Sequence, residues 1–109
     1  MKLAIIGSRG IMVEDIERYL PDGVDEIVSG GAKGADLCAK EYAEKNCIKY
    51  TEFLPDYNRY GRAAPIKRND EIINYADEII AFWDGASKGT QYTVKKAQKI
   101  GKNVTVIIL

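Results

Sequence analysis

Three short, glycine-bearing stretches and one basic segment hold the residues best suited to chemistry. In Gly7-Ser8-Arg9-Gly10, Gly7 lets the backbone turn close to a ligand. Ser8 offers a hydroxyl there and Arg9 a fork that pairs with phosphate. A tight turn from strand to helix would use the same glycines. In Gly30-Gly31-Ala32-Lys33-Gly34-Ala35-Asp36, small residues leave backbone N–H groups bare just before an amphipathic helix. An anion placed there would meet those amides and the positive end of the helix dipole. Asp36 then falls in the first helical turn, where it could orient a ribose hydroxyl, bond nearby amides or simply match the dipole. Asp84-Gly85-Ala86-Ser87-Lys88-Gly89-Thr90 repeats the arrangement with two hydroxyls and a cation. Ser87 or Thr90 would equally serve as an ordinary helix cap.

The fourth stretch, Tyr57 to Asn69, carries Arg59, Arg62, Lys67 and Arg68 and no acid, with two tyrosines, Tyr57 and Tyr60, interleaved with the arginines. Such a segment can stack a base and clamp a phosphate, or lie solvated against a sheet edge. Trp83 is either a core residue or a wall for an adenine. The motif after the second strand is neither the dinucleotide GxGxxG nor a Walker loop, which ends in Gly-Lys-Ser/Thr.

Other chemistries are excluded by what the 109 residues lack. With no histidine and only Cys38 and Cys47, neither a His/Cys zinc site nor a histidine-dependent triad can form. The two cysteines fall on or just past one helix, about 13–14 Å apart along its axis, too far for a disulfide. Sixteen basic and sixteen acidic residues give zero formal charge, which argues against an avid polyanion or membrane-surface binder. No signal-like or 18-residue apolar run occurs, so a cytoplasmic protein with reduced thiols is expected.

The elements that must position these stretches alternate. Apolar runs at Lys2–Gly7, Glu26–Ser29, Lys49–Leu54, Glu78–Trp83 and Asn103–Leu109 predict five strands, the first ending at glycine. Between them, Val13, Ile16 and Leu20 recur at helical spacing before Pro21-Asp22-Gly23. Ala35, Cys38, Ala39, Tyr42 and Ala43 share one helical face. Residues 57–64 read as a loop, and Pro65 suits the first turn of a helix using Ile66, Ile72, Ile73 and Ala76 inward. Val94, Ala97 and Ile100 define the last helix, which Gly101 ends. Strict alternation predicts one α/β domain over residues 1–109. It is a Rossmann-like three-layer α/β/α sandwich on a five-stranded parallel sheet, with expected strand order 3-2-1-4-5. Ligands of such sheets sit beyond the strands' carboxyl ends, near the point where the winding reverses.

Taken in order, Gly7-Ser8-Arg9, Ser29 through Asp36, Arg68-Asn69 and Trp83-Asp84-Gly85 with Ser87-Lys88-Gly89-Thr90 resemble the SLOG superfamily, most closely its small YspA-type branch. The resemblance covers nearly the whole chain and implies binding of a nucleotide or nucleotide-derived ligand. Relatives of the LOG type are nucleoside-monophosphate phosphoribohydrolases that use an arginine and a glutamate. Arg68 is similarly placed, as the candidate catalytic residue, but Thr93 stands where the glutamate belongs, so Asp36 or Asp84 would have to substitute. Relatives of the DNA-processing-A type bind single-stranded DNA through loops like Gly34-Ala35-Asp36 and Arg68-Asn69. Zero net charge argues against that partner here.

The expected site is a cup of backbone amides from Gly30, Gly31, Ala32, Lys33, Gly34 and Gly85–Gly89. Arg9 and Arg68 neutralise charge, Asp36 orients a ribose, and Tyr60 or Trp83 contacts the base. No cofactor is required, although Asp36 and Asp84 could hold a phosphate-bound Mg2+. A homodimer is the expected assembly.

Overall fold

The computed structural model describes residues 1–8, 10–31 and 34–109. Five strands, β1 (Lys2–Gly7), β2 (Glu26–Ser29), β3 (Lys49–Glu52), β4 (Glu78–Trp83) and β5 (Asn103–Ile108), form one sheet. All neighbours run parallel, in the order β3-β2-β1-β4-β5. The order reverses between β1, whose crossover leads to β2, and β4 on its other side, and this opens a crevice at their carboxyl ends. Helices α1 (Ala35–Lys45), α2 (Tyr57–Tyr60), α3 (Ala64–Tyr75) and α4 (Lys88–Lys99) connect the strands.

Alternation along the buried strands sends successive side chains to opposite faces. Leu3, Ile5, Ile27, Ile80 and Phe82 meet α1 through Ala35, Cys38, Ala39 and Ala43. Ala4, Ile6, Val28, Ile79 and Ala81 meet α3 and α4 through Ile72, Ile73, Val94 and Ala97. Two apolar layers therefore sandwich the sheet. No helix among the described residues is long and apolar enough to cross a membrane. Cys38 and Cys47 are both free thiols.

Four local expectations are corrected. The segment around Val13, Ile16 and Leu20 is not an α-helix but a single 3-10 turn, Ile16–Tyr19. Its spacing still buries Val13 and Ile16. A run this short cannot offset helix nucleation, and the Val13 amide goes to Cys38 Sγ (3.4 Å) instead. The expected loop at 57–64 is α2 followed by a 3-10 turn, Gly61–Ala63. The Asp56 carboxylate caps it by accepting the Arg59 N–H at 3.1 Å. Ile66 and Ile100, expected inward, are 43% and 45% exposed. Finally, the third strand stops at Glu52, short of Leu54.

Candidate functional site

A cavity of about 320 Å³ opens at the carboxyl edge of the sheet, beyond the ends of the paired strands β1 and β4. Ile6, Gly7, Asp36, Pro65, Arg68, Asn69, Asp84, Ser87, Gly89 and Thr90 line it. Five separate elements or loops therefore converge on one crevice, with Ile6 and Pro65 supplying apolar wall.

Arg68, on α3, spans the crevice. Its Nη1 donates to the Gly30 carbonyl at 2.6 Å and its Nε to Asn69 Oδ1 at 2.7 Å. Asn69 Nδ2 in turn donates to Thr93 Oγ1 at 2.9 Å, and that hydroxyl donates to the Gly89 carbonyl at 2.9 Å. One polar chain thus ties the glycine turn after β2 to the glycine in the first turn of α4. Each bond orders the next, so the guanidinium is held in place before any ligand arrives.

The glycines fall into two kinds. Gly7 is required by packing, since a Cβ there would lie 2.7 Å from Ala35 Cβ and 2.9 Å from the Phe82 carbonyl. Gly34, at φ +89°, would bring a Cβ to 2.7 Å from the Ile11 carbonyl. Gly89 differs. It has an ordinary helical conformation, and a Cβ would meet nothing within 4 Å.

Asp36 is 6% exposed and accepts the Gly30 N–H at 3.1 Å, fixing the entry to the glycine turn from its other side. Asp84 folds its own loop. Its Oδ1 accepts the N–H groups of Ser87 and Ala86, each at 2.8 Å, and these bonds hold its carboxyl below the usual range. Ser87 occupies the N-cap position of α4 without a side-chain capping bond. Its hydroxyl donates weakly to Thr90 Oγ1 at 3.4 Å. The first-turn amides of α4 accordingly remain available at the cavity wall, where helix geometry gives them no internal acceptor.

The remaining expected residues are placed around, not in, this lining. Ser8 is buried; its Oγ accepts the Asp84 N–H at 3.3 Å and lies 3.4 Å from Thr90 Oγ1. Trp83 donates its indole N–H to the Ser87 carbonyl at 3.0 Å, which braces the loop. Gly31 and Gly85 adopt φ +71° and +83° in turns, and Lys88 is exposed on α4. Tyr60 stacks with Arg59 and Lys67, 5.1 and 5.9 Å from its ring centre, away from the lining. Arg9, Ala32 and Lys33 lie outside the described residues.

Sequence reasoning missed the polar wall behind the glycine turn. Ser29 Oγ lies 2.5 Å from the Tyr50 hydroxyl, which donates to Glu52 Oε1 at 3.1 Å. Burial, reinforced by Glu52, pushes the Tyr50 phenol up to about 12. The placement of Tyr50 and Glu52 two apart in β3, and so on one face of the strand, was the available signal. Thr93, at the position of the LOG-type glutamate, is fully buried and committed to Asn69 and Gly89.

No family model matches the chain, and no solved structure does. The chain is similar to the "Gene 61 protein" of Mycobacterium phage D29, 35% identical over 81 residues. The match takes in 69% of this chain and spans 65% of the phage protein's length.

Proposed function

We propose that this domain binds a nucleotide or nucleotide-derived ligand in the crevice between β1 and β4. The observation that carries the reading is Gly89. Glycine within a helix is destabilising by roughly 0.5–1 kcal/mol relative to alanine. Packing does not require it here, because the Cβ position is empty. It does line the cavity, where a missing side chain brings the α4 amides within reach of a phosphate. Arg68 supplies the opposing cation, and Asp36 is placed to accept hydroxyl protons from a sugar.

The cavity volume falls at the small end of ligand sites, which suits a mononucleotide-sized group. The SLOG resemblance points the same way. Among the described residues there is no group of three or more His, Cys, Asp or Glu side chains that could hold a metal. A Mg2+ ion accompanying the ligand would therefore take most of its ligands from phosphate and water, with Asp84 or Asp36 contributing one. The N-glycosidase alternative has less support, since the Thr93 hydroxyl cannot supply a carboxylate to an oxocarbenium-like centre.

The test is thermal unfolding against adenosine, AMP, ADP, ADP-ribose and NAD, with free base assayed in parallel. A rise in Tm with a phosphorylated member, lost in Arg68→Ala, is the expected result. No shift across the panel would overturn the reading, and base release from AMP would replace binding with hydrolysis.

A further inference from the structure

The sheet has two edges, and they are built differently. β3 is four residues long, carries Lys49 and Glu52 and is followed closely by Pro55, all common protections against edge pairing. β5 is six residues long, and Asn103–Leu109 contains neither a charge nor a proline. Val106, Ile108 and Leu109 are 36%, 65% and 53% exposed along it.

The open side of β5 has a definite pattern. Leu109 donates its N–H to the Trp83 carbonyl at 3.1 Å, extending the ladder with β4. Residues two apart on a strand point their amides the same way, so Val104, Val106 and Ile108 turn their N–H and C=O groups away from β4. These three positions are symmetric about Val106. In an antiparallel pairing of two such strands, Val106 would face its own counterpart and Val104 would face Ile108. Every cross-strand pair on that face is then β-branched and apolar, a favourable combination. A two-fold axis also sets the strand against a copy of itself, so that any charge it carried would meet the same charge near the axis, and this strand has none.

We infer that β5 pairs antiparallel with β5 of a second copy of this chain, about a two-fold axis at Val106, to give a continuous ten-stranded sheet. The partner is another copy because the register is self-complementary in both hydrogen bonding and side chains. The antiparallel join directs the carboxyl ends of the two half-sheets to opposite rims. Both β1–β4 crevices stay open, so assembly does not depend on the proposed ligand.

Sedimentation velocity on the 109-residue chain tests this, with a mass about twice 12.1 kDa expected in the micromolar range. Val106→Pro removes an outward N–H that β4 does not use, a change that an edge strand tolerates within one chain. Ile108→Lys adds charge to the same edge. Both variants should sediment as monomers while keeping the wild-type far-ultraviolet circular dichroism and cooperative unfolding. If Val106→Pro does not fold, Ile108→Lys decides the matter. A monomeric wild type in the high micromolar range, or a dimer that survives in the folded variants, would overturn the inference.

Discussion

The guanidinium of Arg68 occupies the space that a side chain on Gly30 would need. Arg68 Nη1 donates to the Gly30 carbonyl at 2.6 Å, and a Cβ on Gly30 would lie 2.3 Å from that same nitrogen. The glycine is therefore the counterpart of a flat cation, not of a special backbone angle. Adding one methyl group should displace the far end of Arg68 while leaving the fold intact.

Gly30→Ala accordingly tests the arginine without removing it. Loss of one charge-assisted bond is partly offset by the reduced freedom of the unfolded chain, so stability should change by about 1 kcal/mol. Nucleotide affinity should fall about as far as in Arg68→Ala, and the double variant should lose little more. Titration calorimetry on the three variants measures this. Wild-type affinity in Gly30→Ala would separate Arg68 from the ligand.

Gly89→Ala should separate stability from binding in the opposite sense. The new methyl meets no neighbour within 4 Å, and the position lies in α4. A gain of roughly 0.5–1 kcal/mol follows, read as a rise of several degrees in Tm. The further rise on adding nucleotide should shrink, because the methyl stands between the helix amides and the phosphate. An undiminished ligand shift would place the ligand elsewhere in the crevice.

Long-range organisation was legible in the residues because burial on both faces demands it. Apolar runs such as Leu3–Ile6 and Ile79–Phe82 read as central strands, and the parallel order 3-2-1-4-5 followed from the alternation. Where the periodic signal was short, it misled. Val13 and Ile16 are buried as their spacing implies, yet a thiol, not a helical carbonyl, takes the Val13 amide. The candidate cavity was legible in part: Gly7, Asp36, the Arg68-Asn69 pair, Asp84, Ser87, Gly89 and Thr90 line it, whereas the glycine turn after β2 stands behind Arg68. The chain from Arg68 through Asn69 and Thr93 to Gly89 was not, because ordinary polar residues reveal a network only once the fold sets them together. Tyr60 shows the converse: an aromatic among cations found those cations and not the cavity.

Thr93→Val keeps the shape of a fully buried residue and deletes the hydroxyl that joins Asn69 to Gly89. Asn69 Nδ2 then loses its acceptor, and a loss of about 1–3 kcal/mol is expected from the midpoint of urea unfolding. Thr93→Ser, which retains the hydroxyl, should lose less. Equal losses in the two variants would assign Thr93 to packing alone.

Acid sensitivity should be dominated by the opposite end of the sheet. Glu26 is buried, and its Oε2 accepts the Tyr75 hydroxyl at 2.5 Å and the Thr51 hydroxyl at 2.7 Å, with Lys49 Nζ 3.4 Å from Oε1. The Tyr75 bond, followed by those of Thr51 and Lys49, outweighs burial and holds the Glu26 carboxyl below its ordinary value. A depressed carboxyl contributes stability that is complete above its unfolded pKa and disappears as pH falls through the folded one. Tyr75→Phe removes the largest favourable cause while burial remains, so the carboxyl should move upward. Unfolding free energy measured from neutrality into acid should then begin to fall at higher pH than in wild type. At neutral pH the variant should already be less stable than wild type, because the Glu26 carboxylate has lost a donor. The same bond raises the Tyr75 phenol, which should stay protonated beyond the ordinary tyrosine range in an alkaline absorbance titration. A Tyr75→Phe profile parallel to wild type throughout the acid range would show that Thr51 and Lys49 hold the charge without it.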